Sequence, residues 1–184
     1  MNKNISNFEN SFNKAEELRN KGKLIEAIEI FKNILKENSN FQPAINNIAN
    51  CYFQLNEFDL AEKYYLKCLK LNSKNILTMN NLALLYLKNK KFNKALTVLK
   101  VSLERDSQQE HVVEKIAYCL TELNLNKELD MFCKKFMQIY EENNTILSYY
   151  RRNLFKIGRY QEGLKAYQKE TGVIELDEDK INIS

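Results

Sequence analysis

The feature that most constrains the fold of this chain is an internal repeat of 34 residues. Rows that start at residues 8, 42, 76, 110 and 144 keep their register five times without an insertion. Two columns carry mostly alanine, and a third carries mostly large apolar residues. The columns are Ala15, Ala49, Ala83, Ala117, Arg151; Ala27, Ala61, Ala95, Leu129, Gly163; and Phe31, Tyr65, Leu99, Cys133, Tyr167. A fixed period of this length is typical of an array in which each repeat packs against its neighbours.

Within each row, the apolar residues form two stretches with helical spacing. In the second row, Ile45, Ala49 and Tyr52 lie three and four residues apart. A second set begins at Phe58 and continues through Ala61 and Tyr65. The sequence therefore predicts two amphipathic helices of roughly 12 to 14 residues per row, joined by a tight turn. The predicted helices are 8–20, 24–37, 42–54, 58–71, 76–88, 92–105, 110–123, 126–141, 144–156 and 160–170.

Composition excludes several other classes of protein. The 4 glycines and 1 proline are too few for a protein built of strands and turns. The longest apolar run, residues 82–87, is far shorter than the roughly 18 residues of a membrane span, and residues 1–10 lack a secretory signal. A net charge of +4 is too mild to favour nucleic acid. We therefore expect no membrane insertion, no nucleic-acid partner and a cytoplasmic location.

The residues needed for catalysis or metal binding are scarce. His111 is the single histidine, and the sequence contains no phosphate loop and no evident pair of nucleophile and base. The cysteines Cys51, Cys68, Cys119 and Cys133 include no C-x-x-C pair, so we expect reduced, partly buried thiols. These observations predict a non-enzymatic protein with no cofactor, no catalytic residue and no metal site.

The repeat pattern resembles the tetratricopeptide repeat (TPR) family over about residues 8–170. The resemblance rests on the period, the small residue of the first helix, the pair Ala61 and Tyr65, and the turn at residues 158–160. It implies an all-α fold, a right-handed superhelix (solenoid) of five helix-turn-helix repeats. In that family the first helices line a concave wall that binds peptides. The related family of RNA-reading helical repeats has a period one residue longer, which disfavours that alternative.

Departures from the family pattern mark the individual rows. The column where the family usually has tryptophan reads Ser11, Ile45, Met79, Val113 and Leu147. The fourth row has Leu129 where the alanine of the second helix belongs. The fifth row has Arg151 in place of the small residue of the first helix, opposite Gly163. We expect this glycine to make room for the arginine stem.

Asparagines recur at the positions that the resemblance places on the concave wall. The predicted peptide-binding residues are Asn13, Asn47, Asn81, Lys115 and Tyr149 in one column, Asn46 and Asn80 in the column before it, and Asn50, Leu84, Tyr118 and Arg152 in a third. A carboxamide carries both a donor and an acceptor, so stacked asparagines would hold the backbone of an extended peptide. The alternative is compositional bias, because asparagine supplies 25 of the 184 residues.

The predicted function is a protein-interaction scaffold that binds an extended segment of a partner protein. One alternative is an architectural subunit that self-associates through its C-terminal end as a homo-oligomer. Another is a substrate-recruiting arm for an enzymatic partner such as a transferase. A clamp for the C-terminal carboxylate of a chaperone is disfavoured, because Asn46 and His111 stand where the family has lysines.

The two ends fall outside the repeat. Residues 1–7 are expected to form a disordered lead. Residues 171–184 contain a short apolar patch and then an acidic stretch. A repeat array needs its last helix to be covered or polar. We therefore expect this tail to pack extended over the open end, or that end to meet a second copy.

Overall fold

The computed structural model describes residues 2–140 and 143–172, with side chains from residue 8 onward. These residues form helices and connections and include no strand. The helices are α1 (Asn2–Asn20), α2 (Leu24–Glu37), α3 (Gln42–Gln54), α4 (Phe58–Leu71), α5 (Ile76–Lys88), α6 (Phe92–Arg105), α7 (Glu110–Glu122), α8 (Asn126–Met137), α9 (Asn144–Lys156) and α10 (Tyr160–Thr171). The prediction of an all-α array of helix pairs is confirmed, and most helices have the predicted bounds.

Two helices differ most from the predicted bounds. Helix α1 begins at Asn2, so it includes most of the segment 1–7 that we expected to be a disordered lead. Helix α8 ends at Met137, where we predicted it to continue to residue 141. A tight turn follows α8: the backbone N–H groups of Ile139 and Tyr140 both donate to the carbonyl oxygen of Phe136, at 3.1 and 2.8 Å. Apolar periodicity does not mark this end, because Ile139 and Tyr140 continue the apolar pattern past it.

The chain forms two compact units, Met1–Val98 (unit 1) and Leu99–Ser184 (unit 2). In unit 1, the paired alanines of the first two rows are fully buried: Ala15, Ala27, Ala49 and Ala61. Small residues there let the helix backbones approach, and Phe31 and Tyr65 fill the space beside them. Burial of each such large side chain contributes about 1.5–3 kcal/mol to stability.

The fourth row, in unit 2, keeps its packing by exchanging large and small residues. Leu129 is buried at the alanine position of α8, and the smaller Cys133 is buried where the earlier rows have a large side chain. The summed volume of the two side chains therefore changes little between rows, and protein cores tolerate substitutions that conserve volume. The row is irregular in sequence but retains a buried core.

The expected role of Gly163 was wrong. A Cβ atom at Gly163 would lie 3.2 Å from the ring of Phe155, so the glycine admits an aromatic ring of α9. Arg151 points elsewhere: its Nε donates to Glu170 Oε2 at 2.7 Å, and its guanidinium lies 5.3 Å from the centroid of the Tyr167 ring. The arginine therefore replaces the small residue without occupying the space that the glycine leaves.

At the C-terminal end, α10 finishes at Thr171 and Gly172 takes a left-handed conformation with φ of 70°. Residues 173–184 lie outside the described residues, as do the predicted packing of the tail and its predicted contact with a second copy. Across residues 2–140 and 143–172, no helix combines the length and the apolar character that a membrane span requires.

Candidate functional site

The predicted residues of unit 1 lie on α1, α3 and α5, the first helices of the first three rows. Their burial is uneven. Asn13 is exposed, Asn46 and Asn47 are buried, and Asn50, Asn80 and Asn81 are half-buried. Leu84 is 43% exposed. The column that looks uniform in the sequence thus contains side chains in three different environments.

Asn47 joins α3 to α1. Its Oδ1 accepts from Arg19 Nη1 at 2.8 Å, and its Nδ2 donates to Glu16 Oε1 at 3.3 Å. The side chain is only 6% exposed. Both ends of this amide are therefore engaged within unit 1, where they satisfy polar groups that burial would otherwise penalise.

Asn46 has a similar structural role between α3 and α5. Its Oδ1 accepts from Thr78 Oγ1 at 3.2 Å, and that hydroxyl lies 3.4 Å from the Sγ of Cys68. All three residues are buried. This short polar chain is buried between adjacent repeats, so it fixes how they pack.

Asn50 and Asn81 form a different arrangement. Asn50 Oδ1 accepts from Tyr65 Oη at 2.6 Å and from Asn81 Nδ2 at 3.2 Å. Burial raises the pKa of Tyr65 above its ordinary value, so this hydroxyl stays a donor. Within the described residues, no hydrogen bond engages Asn50 Nδ2 or Asn81 Oδ1. The pair therefore offers one donor and one acceptor on neighbouring helices.

Apolar side chains lie beside these amides. Leu77 is 63% exposed, and Leu84 lies seven residues later on the same face of α5, with Asn81 between them. A cleft of about 410 Å³ is lined by Phe12, Glu16, Gln42, Pro43, Asn46, Asn47, Asn75 and Leu77. Leu77 was not among the predicted residues, although its spacing from Leu84 placed it on the same helix face.

In unit 2, the predicted residues lie on α7 and α9. Lys115 Nζ donates to the carbonyl oxygen of His111 at 3.0 Å, and the Arg152 guanidinium lies 4.9 Å from the centroid of the Tyr149 ring. Burial raises the pKa of Tyr149, and Tyr118 is one of the nearby groups that add to this shift. The structure thus brings Tyr149 close to Arg152 and to Tyr118.

The thiols and the acidic residues form no reactive cluster in the described part of the chain. No group of three His, Cys, Asp or Glu side chains there is placed to hold a metal ion. The four cysteines are free and buried. Burial raises the pKa of Cys51 and Cys119 to about 11 and that of Cys133 to about 12. These three thiols are therefore protonated near neutral pH, and a protonated thiol is a poor nucleophile.

Two family models described as tetratricopeptide repeat match the chain, one over residues 43–75 and the other over residues 64–97. Residues 43–97 of this chain are therefore tetratricopeptide repeats. The matched segment runs from α3 into α6 and so contains the Asn50–Asn81 pair, Leu77 and Leu84. The recognition made from the 34-residue period is thus confirmed by the most regular rows.

Solved structures support the same fold for this TPR protein. MamA from Desulfovibrio magneticus RS-1 is 13% identical, with a TM-score of 0.78 over 90% of this chain and 93% of that one. YrrB, described as a TPR protein with an unusual peptide-binding site, is 16% identical, with a TM-score of 0.74 over 87% and 82%. At these identities the likeness shows the fold alone. No curated protein matches the chain in sequence.

The family defines the coarse function. TPR repeats bind protein partners, and this chain is a protein-interaction scaffold in that sense. The family is generally non-enzymatic.

Proposed function

We propose that this TPR protein binds an extended segment of a partner protein across α3 and α5. The observation that carries the proposal is the pair of unengaged amide atoms, Asn50 Nδ2 and Asn81 Oδ1, on helices joined by a 3.2 Å hydrogen bond. A peptide unit offers one carbonyl acceptor and one N–H donor. The pair would match both, whatever the side chain of the bound residue.

The exposed leucines supply the apolar part of the proposed site. Leu84 follows Asn81 by three residues on α5, and Leu77 reaches the cleft beside Asn46. Each backbone hydrogen bond would contribute about 0.5–1.5 kcal/mol net, so amides alone give weak binding. Together with an apolar anchor, the total would approach roughly −8 kcal/mol, which corresponds to micromolar affinity.

The remaining predicted residues have secondary roles in this proposal. Asn46 and Asn47 hold α3 against α5 and α1, and Asn13 and Asn80 border the proposed peptide-binding surface. Lys115, Tyr118, Tyr149 and Arg152 of unit 2 stay a separate prediction for the same class of ligand. The description of YrrB as having a peptide-binding site concerns that protein, and it supplies a precedent within the same fold.

The test is capture of partners from a lysate of the source organism by the full chain and by single variants. Asn81→Ala removes the acceptor, and Leu84→Lys removes the exposed apolar anchor. Ile25→Lys is the matched control, because Ile25 is an exposed aliphatic residue on α2. We expect specific partners to be lost with both site variants and kept by the control. Capture of the same partners by all of these proteins would contradict the proposal.

The same preparations test the alternatives. Sedimentation over a range of concentrations measures self-association, and an enzymatic activity that co-purifies with the wild-type chain would favour the recruiting arm. A cytoplasmic location is also part of the proposal. Four buried free thiols support it, because reduced cysteines persist in reducing compartments. Fractionation of cells with an antibody to the chain checks the location.

A further inference from the structure

The exposed face of α4 differs from the same face of the other second helices. This α4 outer face consists of Asp59, Leu60, Lys63, Leu66, Lys67, Lys70 and Leu71, all of which are exposed. The opposite side of α4 packs into unit 1 through Ala61, Tyr65 and Cys68, which are buried. The helix is therefore anchored on one side and presents lysines and leucines on the other.

The 34-residue register makes the difference explicit. Counterparts of the three leucines, one period earlier and one period later, all carry charge. They are Glu26 and Lys94 for Leu60, Lys32 and Lys100 for Leu66, and Glu37 and Arg105 for Leu71. Counterparts of the lysines are more mixed, namely Glu29 and Thr97 for Lys63, Asn33 and Val101 for Lys67, and Lys36 and Glu104 for Lys70. Among α2, α4 and α6, only α4 therefore has leucine at the three positions that carry charge in the other two helices.

The lysines of this face are not used to stabilise the fold. In the part of the chain that the structure describes, no ion pair and no side-chain hydrogen bond engages Lys63, Lys67 or Lys70. By contrast, Lys94 Nζ on α6 lies 3.1 Å from Oε1 of Glu62, which is a residue of α4 at the edge of this face. Like charges three and four residues apart on a helix repel and cost folding free energy. A stripe of this kind therefore favours a role in binding something anionic.

The order of the residues around α4 narrows the choice of partner. At 100° per residue, Lys63 and Lys70 lie nearest the direction opposite the buried side, between Asp59 and Lys67. Leu66 lies beyond Asp59, and Leu60 and Leu71 lie beyond Lys67. A helix that lies in a bilayer surface has the reverse order, since its apolar residues point deepest and its lysines lie at the sides. Nucleic acid would meet the lysines but offers no aliphatic surface for the leucines. An acidic protein segment with apolar side chains matches both.

We propose that the α4 outer face binds an acidic, apolar segment of a partner protein. Carboxylates of that segment contact the central lysines, and its aliphatic or aromatic side chains pack on Leu60, Leu66 and Leu71. This surface is separate from the Asn50–Asn81 pair, so the proposal does not depend on the proposed function.

The experiment selects a display library of randomised peptides on the full chain, with counter-selection against Lys63→Gln/Lys67→Gln. Affinities of the enriched peptides are then measured by fluorescence anisotropy. The matched control is Lys165→Gln/Lys169→Gln on α10, which removes the same charge at the same register positions, where Glu162 and Gln168 stand in place of Leu60 and Leu66. A third variant, Leu66→Lys, removes an apolar contact while adding positive charge.

We expect the enriched peptides to combine Asp or Glu with large apolar residues. Their affinity should fall at least about tenfold in Lys63→Gln/Lys67→Gln and also in Leu66→Lys, and stay unchanged in the control. Added salt should weaken binding. A simple electrostatic patch predicts the opposite for Leu66→Lys, namely tighter binding, and that result would overturn the proposal.

Two further measurements complete the test. Vesicles of phosphatidylserine and phosphatidylcholine, and poly(U) RNA, are offered to the same proteins. Failure to enrich acidic, apolar peptides would overturn the proposal. So would vesicle or RNA binding that is tighter than peptide binding and is lost in Lys63→Gln/Lys67→Gln.

Discussion

The second and fifth repeats have a tyrosine at the same register position, in different environments. Tyr65 is fully buried and donates to Asn50 at 2.6 Å, with α5 packed against its helix. Tyr167 is half-buried and lies under the guanidinium of Arg151. No described helix follows α10. The difference indicates that a residue in a repeat array is buried by the neighbouring repeat as much as by its own repeat.

The largest expected effect is the loss of the two tyrosine side chains. Tyr65→Ala should lower the free energy of unfolding by about 3 kcal/mol or more, because it leaves a cavity in the core. Tyr167→Ala should cost about 1 kcal/mol, because the ring is partly in water already and loses less apolar burial. Urea denaturation followed by circular dichroism measures both. Equal losses of the free energy of unfolding in the two variants would contradict the inferred difference in burial between the two repeats.

The next effect concerns Gly163, the fifth-row counterpart of Ala61. Gly163→Val should destabilise the protein by about 1–3 kcal/mol, because the added atoms press on the Phe155 ring. Replacing Phe155 by Leu in the same chain should recover part of this loss. The double-mutant cycle is measured by urea denaturation. Additive effects of the two substitutions would show that the ring does not limit this position.

A smaller effect tests the hydroxyl of Tyr65. Tyr65→Phe should lower the free energy of unfolding by about 1 kcal/mol, since one hydrogen bond to Asn50 is lost and Asn81 still donates to the same oxygen. Tyr167→Phe is the matched control, for which we expect a change near zero.

The Tyr65 hydroxyl also gives a pH dependence with a definite sign. Because burial raises the pKa of Tyr65 in the folded chain above its ordinary value of 10.0, the protonated form favours folding. The contribution of this hydroxyl to the free energy of unfolding should therefore be fully present below pH 10.0. It should fall as the pH rises above 10.0, because the unfolded chain then loses the proton more readily than the folded chain. Denaturation at a series of alkaline pH values should show a shallower decline for Tyr65→Phe. An identical decline in both proteins would contradict this assignment.

The smallest effect is expected for the ion pair of the fifth repeat. Arg151→Gln should lower the free energy of unfolding by at most about 1 kcal/mol, because an ion pair with Glu170 near the surface contributes little. The difference from wild type should narrow as salt is added. A loss as large as that of Tyr65→Ala would mean that Arg151 is a core residue of this repeat.

The secondary structure could be predicted almost entirely because each helix repeats the same apolar spacing. A period of 34 residues sets the register of all rows at once, so an irregular row such as the fourth is placed by its neighbours. The ends of the array were harder: the start of α1 and the tail belong to no pair of flanking repeats. The end of α8 at Met137 was also not predicted, because apolar residues follow it in the sequence.

The candidate site could be predicted only in part. Register identified the first-helix columns, but it treated Asn47, Asn50 and Asn81 as equivalent. Their amides differ because Glu16 and Arg19 engage both ends of Asn47, whereas the Asn50–Asn81 pair keeps one donor and one acceptor unengaged. Hydrogen bonds between residues about 31 positions apart depend on how neighbouring repeats pack, and a column of identical letters does not record that.

The amino-acid pattern therefore determined the helices, the pairing of each repeat and the family, because all of these follow from short-range spacing repeated five times. The packed structure decided which side chains are free to bind. It assigned the space at Gly163 to Phe155, engaged Asn47 within the fold, and left the leucines and lysines of the α4 outer face in solvent. The physical reason is that burial and hydrogen bonding depend on contacts between helices, and each contact combines residues from two rows.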